Sequence, residues 1–385
     1  MLLKDVKLKN SDQNDDNSPY YYRGRELEII TDQGRFSTPS KIISKSEHNA
    51  RNEIPISTAL SLELAIDFKL FNTDQMTSFL KENGSITKNI RNTRQFNQMT
   101  RRSIFKISIF QPFKKVLNNL SLKQKMKFVE LQADFLQLKL GTNIITYPYL
   151  HLGYSDYIDF INKYYPKNDK ISAIFTLDMS MPEDSFQEVL KHIVEKPGPK
   201  IIAIIYQEWE NYPLQHYAIN SYFDNEDVAF IACQVTRELE LTNVNKLHSV
   251  QFDAFDLIAL KQSNSFPPEP EIDLSRVKFL SSSTLEVDNI ANVIEDQKRD
   301  LVGEFKIPAN NVNDIHQLDN IVHDYSTDLT DPVKFNTLIY LAKMHEAVIS
   351  PPEFDVSREF IHSGETDEYI KQKKGLQRVS FLKKR

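Results

Sequence analysis

Five short apolar runs recur at a nearly constant interval in the middle of the chain, and this spacing constrains the fold more than any other feature. The runs are NIITYPY, ISAIFTL, IIAIIYQ, VAFIACQ and AFDLIAL, which begin at residues 143, 171, 201, 228 and 254. The intervals between them are 28, 30, 27 and 26 residues. Nearly continuous runs of Ile, Val, Phe and Ala are typical of strands buried on both faces, as parallel strands covered by helices are.

Segments with helical spacing separate these runs. In PEDSFQEVLKHIVEK, Phe186, Val189, Leu190 and Ile193 share one face, and Pro182 stands near the start of the predicted helix. Three further strands are predicted at residues 41–44, 54–57 and 104–110, which brings the total to eight. Eight strands in alternation with helices predict an α/β fold of the (β/α)8 TIM-barrel type. A doubly wound sheet is the alternative, but the glycine-rich first crossover typical of that fold is missing.

Scarce glycine and cysteine exclude several functional classes. The 385 residues include nine Gly, about 2% against a usual share of roughly 7%. These glycines never form a dinucleotide-binding or P-loop pattern. The single cysteine, Cys233, can form neither an intrachain disulfide nor a Cys-rich zinc site. We therefore expect no cofactor and no metal.

The sequence also carries no signal for a membrane. No apolar run approaches the roughly 18 residues that a membrane span needs. The first residues, MLLKDVKLKNSDQNDDNSPYYY, have neither the apolar core nor the cleavage site of a signal peptide. We expect a soluble, cytoplasmic protein in a reducing compartment, with no membrane partner.

The chain divides into three predicted regions. Residues 1–20 are polar and predict a flexible N-terminus. Residues 21–270 are assigned to the barrel, preceded within this range by a β-hairpin whose turn lies at Asp32–Gly34. A polar, proline-rich linker follows at 263–273, and residues 271–385 are assigned to a helical region with a basic tail. Helices are predicted there within 284–301, 331–349 and 365–374.

Candidate site residues follow from the barrel prediction, because barrel enzymes carry their chemistry at the C-terminal ends of the strands. The ends predicted from sequence carry Gln111, Tyr149 with His151, Asp178, Gln207 with Glu208, and Gln234, and the eighth run offers Asp253 and Asp256.

Asp256 is the strongest candidate of this set, because it interrupts an apolar stretch. An unpaired charge there is costly, so Asp256 must face the barrel mouth or have a partner. Each of the other candidates also has a structural explanation. Asp178 could cap the helix that begins near Pro182, and Gln207 with Glu208 could be a polar strand end exposed to solvent.

Charge is distributed unevenly around a formal net charge of −6. Nine Lys or Arg residues stand between Lys81 and Lys115 against one acid, and seven stand between Lys371 and Arg385 against none. A basic stripe on an acidic body indicates contact with a phosphate backbone, whereas a solvated loop and a frayed tail are the alternatives. The predicted nucleic-acid contacts are Arg91, Arg94, Arg101, Arg102, Lys106, Lys114 and Lys115.

The order of several motifs resembles the tRNA-guanine transglycosylases, barrel enzymes that exchange guanine for a 7-deazaguanine base. TDQGRFSTPSKII is similar to the entry hairpin and first strand of that family, and SIFQPF to its Gly-Gly-Phe-Gln-Val-Phe stretch. LQADFLQLKLGTNIIT, FTLDMSMPE, AIIYQE and DAFDLI are similar to its later motifs, the last of which holds the nucleophilic aspartate. The stretch 336–349 resembles its closing helices. The shared order extends over about 330 residues.

The resemblance implies a function and roles for particular residues. Asp256 matches the nucleophile, which would attack the ribose anomeric carbon of tRNA or DNA and hold a covalent intermediate. Asp178 and Gln207 would bind the edge of guanine or a 7-deazaguanine base, although by strand count Tyr149 takes the base-recognition position.

This chain also departs from the family. The zinc-binding cysteines have no counterpart, and Lys106 falls near the position of the acid/base aspartate. A barrel that has lost catalysis and serves as a nucleic-acid-binding or partner subunit is therefore the alternative. A homodimer or a partner subunit is a further possibility for the assembly. A small-molecule barrel enzyme that uses Asp178, Glu208 and Asp256 as acid/base groups is a third.

Overall fold

The computed structural model describes residues 1–11, 24–53, 63–81, 88–236, 246–261, 278–281, 283–289, 332–379 and 382. Eleven strands lead up to and form the central sheets: β1 Leu3–Ser11, β2 Arg25–Thr31, β3 Gly34–Ser37, β4 Ser40–Ser44, β5 Leu64–Phe71, β6 Phe105–Pro112, β7 Ile144–Tyr147, β8 Ser172–Asp178, β9 Lys200–Ile205, β10 Val228–Val235 and β11 Leu257–Leu260. Two short strands follow, β12 Lys278–Leu280 and β13 Val287–Asn289.

Helices connect the strands and form the C-terminal region. They are α1 Lys45–Glu53, α2 Thr73–Lys81, α3 Lys88–Met99, α4 Lys114–Asn118, α5 Leu122–Asp134, α6 Tyr154–Tyr164, α7 Glu183–Val194, α8 Pro213–Asn220, α9 Lys246–Ser249, α10 Pro332–Ser363, α11 Thr366–Gln372 and α12 Lys374–Gln377. A π-helical turn at Phe135–Lys139 extends α5, and a 3-10 turn at Val250–Phe252 extends α9.

Eight parallel strands form a nearly closed barrel, as the sequence predicts. The strand order is β6-β5-β4-β11-β10-β9-β8-β7, so that β6 and β7 are the two edges. Two side chains bridge these edges. The Gln111 amide accepts a hydrogen bond from the Tyr149 N–H (2.9 Å) and donates one to the Tyr149 carbonyl (2.8 Å), and Thr146 Oγ1 donates to the Ser108 carbonyl (2.5 Å).

The barrel interior is filled with side chains from alternate positions of every strand. Among them are Ile42, Ile66, Ile107, Ile201 and Ile231, all buried. Alternate residues of the same strands point outward and pack against the helices in a larger cluster that includes the face of α7. The barrel is therefore a packed core, and ligands can reach only its ends.

The strand predictions agree with the structure except at the second position. The second strand of the barrel is β5 Leu64–Phe71 in the structure. The strand predicted at 54–57 lies outside the described residues. Asp67 and Lys69 interrupt β5 with polar side chains, so its sequence does not form a continuous apolar run.

A three-stranded antiparallel sheet, in the order β1-β2-β3, covers the N-terminal end of the barrel. Its β2–β3 turn lies where the Asp32–Gly34 signal places it. The strand β1 falls in the region that the sequence assigns to a flexible N-terminus, and it pairs with β2 along its length. The sheet joins the barrel through hydrogen bonds at strand starts: the Leu3 N–H donates to Ser172 Oγ (3.0 Å), and Thr31 Oγ1 donates to the Ile104 carbonyl (3.0 Å).

A buried ion pair fastens this sheet to the barrel. Arg25 Nε and Nη2 donate to the two carboxylate oxygens of Asp256 at 2.8 and 2.7 Å. The guanidinium also donates to the carbonyls of Phe223 (2.5 Å) and Val228 (2.9 Å). Because both side chains are almost fully buried, each compensates the charge of the other in the protein interior.

The C-terminal region is not wholly helical, which corrects the assignment of 271–385. Residues 278–280 and 287–289 form an antiparallel pair, β12 with β13, and the first part of the helix predicted over 284–301 is therefore a strand. The rest of that predicted helix lies outside the described residues. The helices predicted within 331–349 and 365–374 correspond to α10 and α11.

Buried polar groups join α10 to the barrel. Lys41 on β4 forms ion pairs with Glu47 (2.6 Å) and with Glu346 on α10 (3.3 Å). Beside them, the His248 ring stacks on Phe354 with 4.7 Å between centroids. His248 is fully buried, and neither of its ring nitrogens forms a hydrogen bond with a described residue. Burial, with Lys41 and Lys373 nearby, lowers the pKa of His248 to about 3.

Removal of Arg25 should destabilise the protein strongly, because it leaves the Asp256 carboxylate buried without its partner. We expect R25M to lose about 3–5 kcal/mol of unfolding free energy, measured by urea titration, and R25M/D256L to recover most of that loss. The control R35Q removes an exposed arginine 3.7 Å from Glu28 and should change stability by less than about 1 kcal/mol. If R25M lost less unfolding free energy than R35Q, this role of Arg25 would be contradicted.

Acid should destabilise the fold through His248. The unfolded chain takes up a proton near pH 6.5, whereas the folded chain does not until about pH 3, so the unfolded state binds more protons between these values. Stability should therefore fall below pH 6.5, by up to about 1.4 kcal/mol per pH unit from this residue. In urea titrations from pH 7 to pH 4, H248L should lose less unfolding free energy than the wild type. Equal losses in the two proteins would contradict the lowered pKa of His248.

Candidate functional site

The C-terminal end of the barrel gathers several of the predicted site residues. Asp178 is the last residue of β8. Tyr149 lies two residues after the end of β7, and Gln207 lies two residues after the end of β9. Since β7, β8 and β9 are neighbours in the sheet, their ends lie side by side. We call this region, with the connections that follow β6 and β7, the mouth.

The Gln111 amide fixes Tyr149 at the mouth by holding both of its backbone groups. The Tyr149 hydroxyl lies 3.0 Å from Nδ1 of His151, whose backbone φ is +53°. A non-glycine residue in this left-handed region is uncommon, and such strain is concentrated at functional sites. Lys125 on α5 secures the same turn, because its Nζ donates to the His151 carbonyl at 3.1 Å.

The charges at the mouth favour a neutral imidazole beside a neutral phenol. Burial raises the pKa of Tyr149, and the charge of Asp178 raises it further. Burial lowers the pKa of His151, to which Lys114 and Lys125 contribute, while Asp178 opposes them. At neutral pH the Tyr149–His151 pair therefore offers hydrogen-bonding groups without charge, between a carboxylate and two ammonium groups.

Gln207 is held by its backbone. Its N–H approaches the sulfur of Met179 (3.2 Å), and its carbonyl accepts a hydrogen bond from Nε2 of His216 (2.9 Å). Nδ1 of the same imidazole lies 2.5 Å from Asp253 Oδ2, and both side chains are buried. Both ring nitrogens of His216 therefore face oxygen atoms, one of Gln207 and one of Asp253. Sequence reasoning had not linked these residues to Gln207.

Asp256 lies at the opposite end of the barrel from Asp178. It directly precedes β11, so it marks the N-terminal start of the eighth strand and not its end, which corrects its placement among the C-terminal strand ends. Its Oδ2 accepts from the Phe230 N–H (2.7 Å) in addition to Arg25. Burial raises the pKa of the Asp256 carboxyl, and Arg25 opposes this rise. The structure therefore brings Tyr149, Asp178 and Gln207 to one end, without Asp256.

Four of the seven predicted nucleic-acid contacts lie in two pairs at opposite ends of β6. Arg101 and Arg102 are exposed in the connection that precedes β6, and Lys114 and Lys115 are exposed at the start of α4, which follows it. Lys106 is half-buried on β6, and its Nζ donates to the Asn97 carbonyl (3.3 Å). These residues do not form one continuous stripe.

The two remaining predicted contacts lie on α3. Arg94 is half-buried there. Arg91 lies on the same helix, with its side chain outside the described ones.

Exposed apolar side chains accompany the lysines at the mouth. Phe113, Leu122 and Tyr154 are 43%, 48% and 47% exposed, and all three stand in the connections after β6 and β7. Sequence reasoning missed them and Lys125, because single exposed apolar residues before or at the start of a helix, and one lysine within a helix, carry no periodic signal.

A cleft lies at the N-terminal end of the barrel, between the β2–β3 hairpin and α10. This cleft has a volume of about 650 Å³, and Glu28, Arg35, Asp355 and Arg358 are among its lining residues. None of the predicted site residues lines it.

The fold and the mouth define a (β/α)8-barrel protein whose N-terminal end is closed by a sheet and whose C-terminal end is polar. No protein-family model matches the chain, and no curated protein matches it significantly. In the part of the chain that the structure describes, no helix is both long and apolar enough to cross a membrane. Within the same residues, no three His, Cys, Asp or Glu side chains converge as a metal site would require.

The opposing effects on His151 give a test of the mouth geometry. The Asp178 carboxylate raises the pKa of His151, so D178N should lower this pKa further below its ordinary value. Conversely, K114Q removes a nearby positive charge and should raise it. NMR titration of histidine-labelled protein, with the His151 signal assigned from an H151Q spectrum, measures both shifts. If the pKa of His151 shifted in the same direction in both variants, this arrangement of charges would be excluded.

Proposed function

We propose that this protein is a transglycosylase-like barrel that binds nucleic acid, tRNA or DNA, at its C-terminal mouth and does not use Asp256 as a nucleophile. One observation carries the proposal: polar base-binding candidates, exposed lysines and exposed aromatic side chains all lie at the C-terminal end of the barrel, whereas Asp256 is held by Arg25 at the N-terminal end.

The mouth offers each kind of contact that a nucleic acid requires. Lys114 and Lys115 can neutralise phosphates, which supplies most of the affinity without regard to sequence. Phe113 and Tyr154 present ring faces on which unpaired bases stack, a contact worth about 1–3 kcal/mol per base. Deeper in the mouth, Asp178 is fixed by a hydrogen bond that its Oδ1 accepts from the Ser180 N–H (2.8 Å). A carboxylate in this position suits the N–H groups of a guanine-like edge.

The environment of Asp256 supports a structural role. A nucleophilic carboxylate needs a free oxygen that points at the substrate, but both Asp256 oxygens accept hydrogen bonds from Arg25, and Oδ2 also accepts one from the Phe230 N–H. Attack on a ribose would require this ion pair to open within a buried region, which costs several kcal/mol. Base exchange through Asp256 is the competing function, and it predicts a covalent adduct between this residue and nucleic acid.

Binding can be measured by fluorescence anisotropy with labelled tRNA and labelled single-stranded DNA. We expect K114Q/K115Q to weaken binding about tenfold or more in dilute salt, and to reduce the slope of log Kd against log salt by about 1.4–1.8, since two phosphate contacts are lost. The matched control R101Q/R102Q removes two exposed charges from the other end of β6 and should leave the affinity unchanged. Equal losses in both double variants, or no binding by the wild type, would overturn the proposal.

A separate measurement tests the role of Asp256. Incubation of the wild type with tRNA and radiolabelled guanine should give no incorporation of guanine. If the wild type incorporates guanine and a folded D256N variant does not, Asp256 is the nucleophile and the assignment of a purely structural role is wrong. Circular dichroism establishes whether the variant is folded.

A further inference from the structure

The imidazole of His151 has one nitrogen that is held in place and one that is open to a ligand. Nδ1 lies 3.0 Å from the Tyr149 hydroxyl, and the two rings meet edge to face with 5.8 Å between their centroids. Within the described part of the chain, Nε2 forms no hydrogen bond with another residue. His151 is half-buried, and Nε2 is not one of its buried atoms. A ligand at the mouth can therefore reach Nε2.

The tautomer of His151 determines what Nε2 can do. Burial and the charge of Asp178 raise the pKa of Tyr149, so its phenol keeps its proton at neutral pH. Burial, with Lys114 and Lys125 nearby, lowers the pKa of His151, although Asp178 opposes them, so the imidazole is neutral there. In the tautomer in which Nδ1 donates to the Tyr149 oxygen, Nε2 carries a lone pair that can accept a proton.

Two lysines place positive charge around this imidazole. Lys125 Nζ donates to the His151 carbonyl at 3.1 Å, and Lys114 lies near enough to lower the pKa of the ring. Ammonium groups stabilise the negative charge that develops on a phosphate while it is attacked, most strongly where they are fixed in advance. The turn at the mouth thus combines a proton acceptor with groups that attract a phosphate.

We propose that the mouth cleaves RNA, with Nε2 of His151 as the general base; this inference rests on the nucleic-acid binding proposed above. Nε2 takes the proton of a ribose 2′-hydroxyl, and the 2′ oxygen attacks the adjacent phosphorus. The bond from phosphorus to the 5′ oxygen breaks, and this oxygen takes a proton from the ammonium group of Lys114. The products are a 2′,3′-cyclic phosphate and a 5′-hydroxyl end. A proton then passes through solvent from the imidazolium to the Lys114 amine, so the transesterification consumes no water, oxidant or reductant.

This chemistry selects RNA over DNA and sets a pH dependence. DNA has no 2′-hydroxyl, so DNA that binds at the mouth is not cleaved. The cleavage rate should rise with pH as His151 loses its proton, with a midpoint below about 6.5, the ordinary pKa of histidine, because the pKa of this residue is lowered. The groups that act on the ring are Lys114, Lys125, Asp178 and Tyr149. D178N removes the charge that opposes the lysines and should move the midpoint to lower pH.

Cleavage is measured with the full chain and three end-labelled probes at pH 7.4: a tRNA transcript, single-stranded RNA of mixed sequence and the matching DNA. We expect 2′,3′-cyclic phosphate ends on RNA and no cleavage of DNA. H151N should slow cleavage about hundredfold or more, because a general base contributes about 10²–10⁴-fold. Asparagine tolerates the left-handed backbone at this position, where φ is +53°. The control H192N changes another half-buried histidine, on α7, and should leave the rate unchanged.

Two further measurements separate this inference from the binding on which it rests. Fluorescence anisotropy with 2′-O-methyl RNA, which cannot be cleaved by this route, should give similar Kd values for the wild type and H151N. Binding of this probe without any cleavage of RNA would overturn the inference and leave the proposed function intact, whereas no binding would overturn both. The ¹⁵N chemical shifts of His151 report its tautomer. A proton on Nε2 at pH 7.4, or equal cleavage rates for H151N and the wild type, would exclude His151 as the base.

Discussion

The mouth of this barrel depends on the amide of Gln111. The strand order runs from β6 to β7 and leaves these two as edges, so the seam between them is bridged by side chains. The Gln111 amide both accepts from and donates to the backbone of Tyr149, as a neighbouring strand residue would. This one side chain therefore helps to close the barrel and places Tyr149, and after it His151, at the end where barrel proteins bind their ligands.

The two ends of the barrel use charge in opposite ways. At the N-terminal end, Arg25 and Asp256 are buried together, and each satisfies the hydrogen-bonding groups of the other. Removing either would leave a buried charge, so the pair fixes the covering sheet in one position. At the mouth, Asp178 and His151 are only half-buried, and lysines stand beside them. The half-buried charges at the mouth can therefore interact with a ligand, whereas Arg25 and Asp256 neutralise each other and contribute to stability.

Sequence alone predicted the barrel because most of its strands are buried on both faces, which leaves continuous apolar runs. It missed β5, since Asp67 and Lys69 break the run, and it placed Asp256 at the wrong end, since a run that contains a strand does not show where the strand begins. The sequence named His151 as a strand-end candidate but did not show its positive φ or the contact that Lys125 of α5 makes with its carbonyl. Such contacts arise from tertiary packing, and no periodicity in the chain carries them.

The left-handed backbone at His151 belongs to a turn at the mouth that several contacts hold in place. A left-handed backbone at a non-glycine residue persists only where the surroundings fix it, and here Lys125 holds the His151 carbonyl while Gln111 holds Tyr149 two residues earlier. These contacts tie the turn to α5 and β6, so its polar groups are positioned before any ligand arrives. A preorganised site loses little conformational freedom on binding. The hydrogen bonds that close the seam between β6 and β7 therefore also prepare the mouth for a ligand.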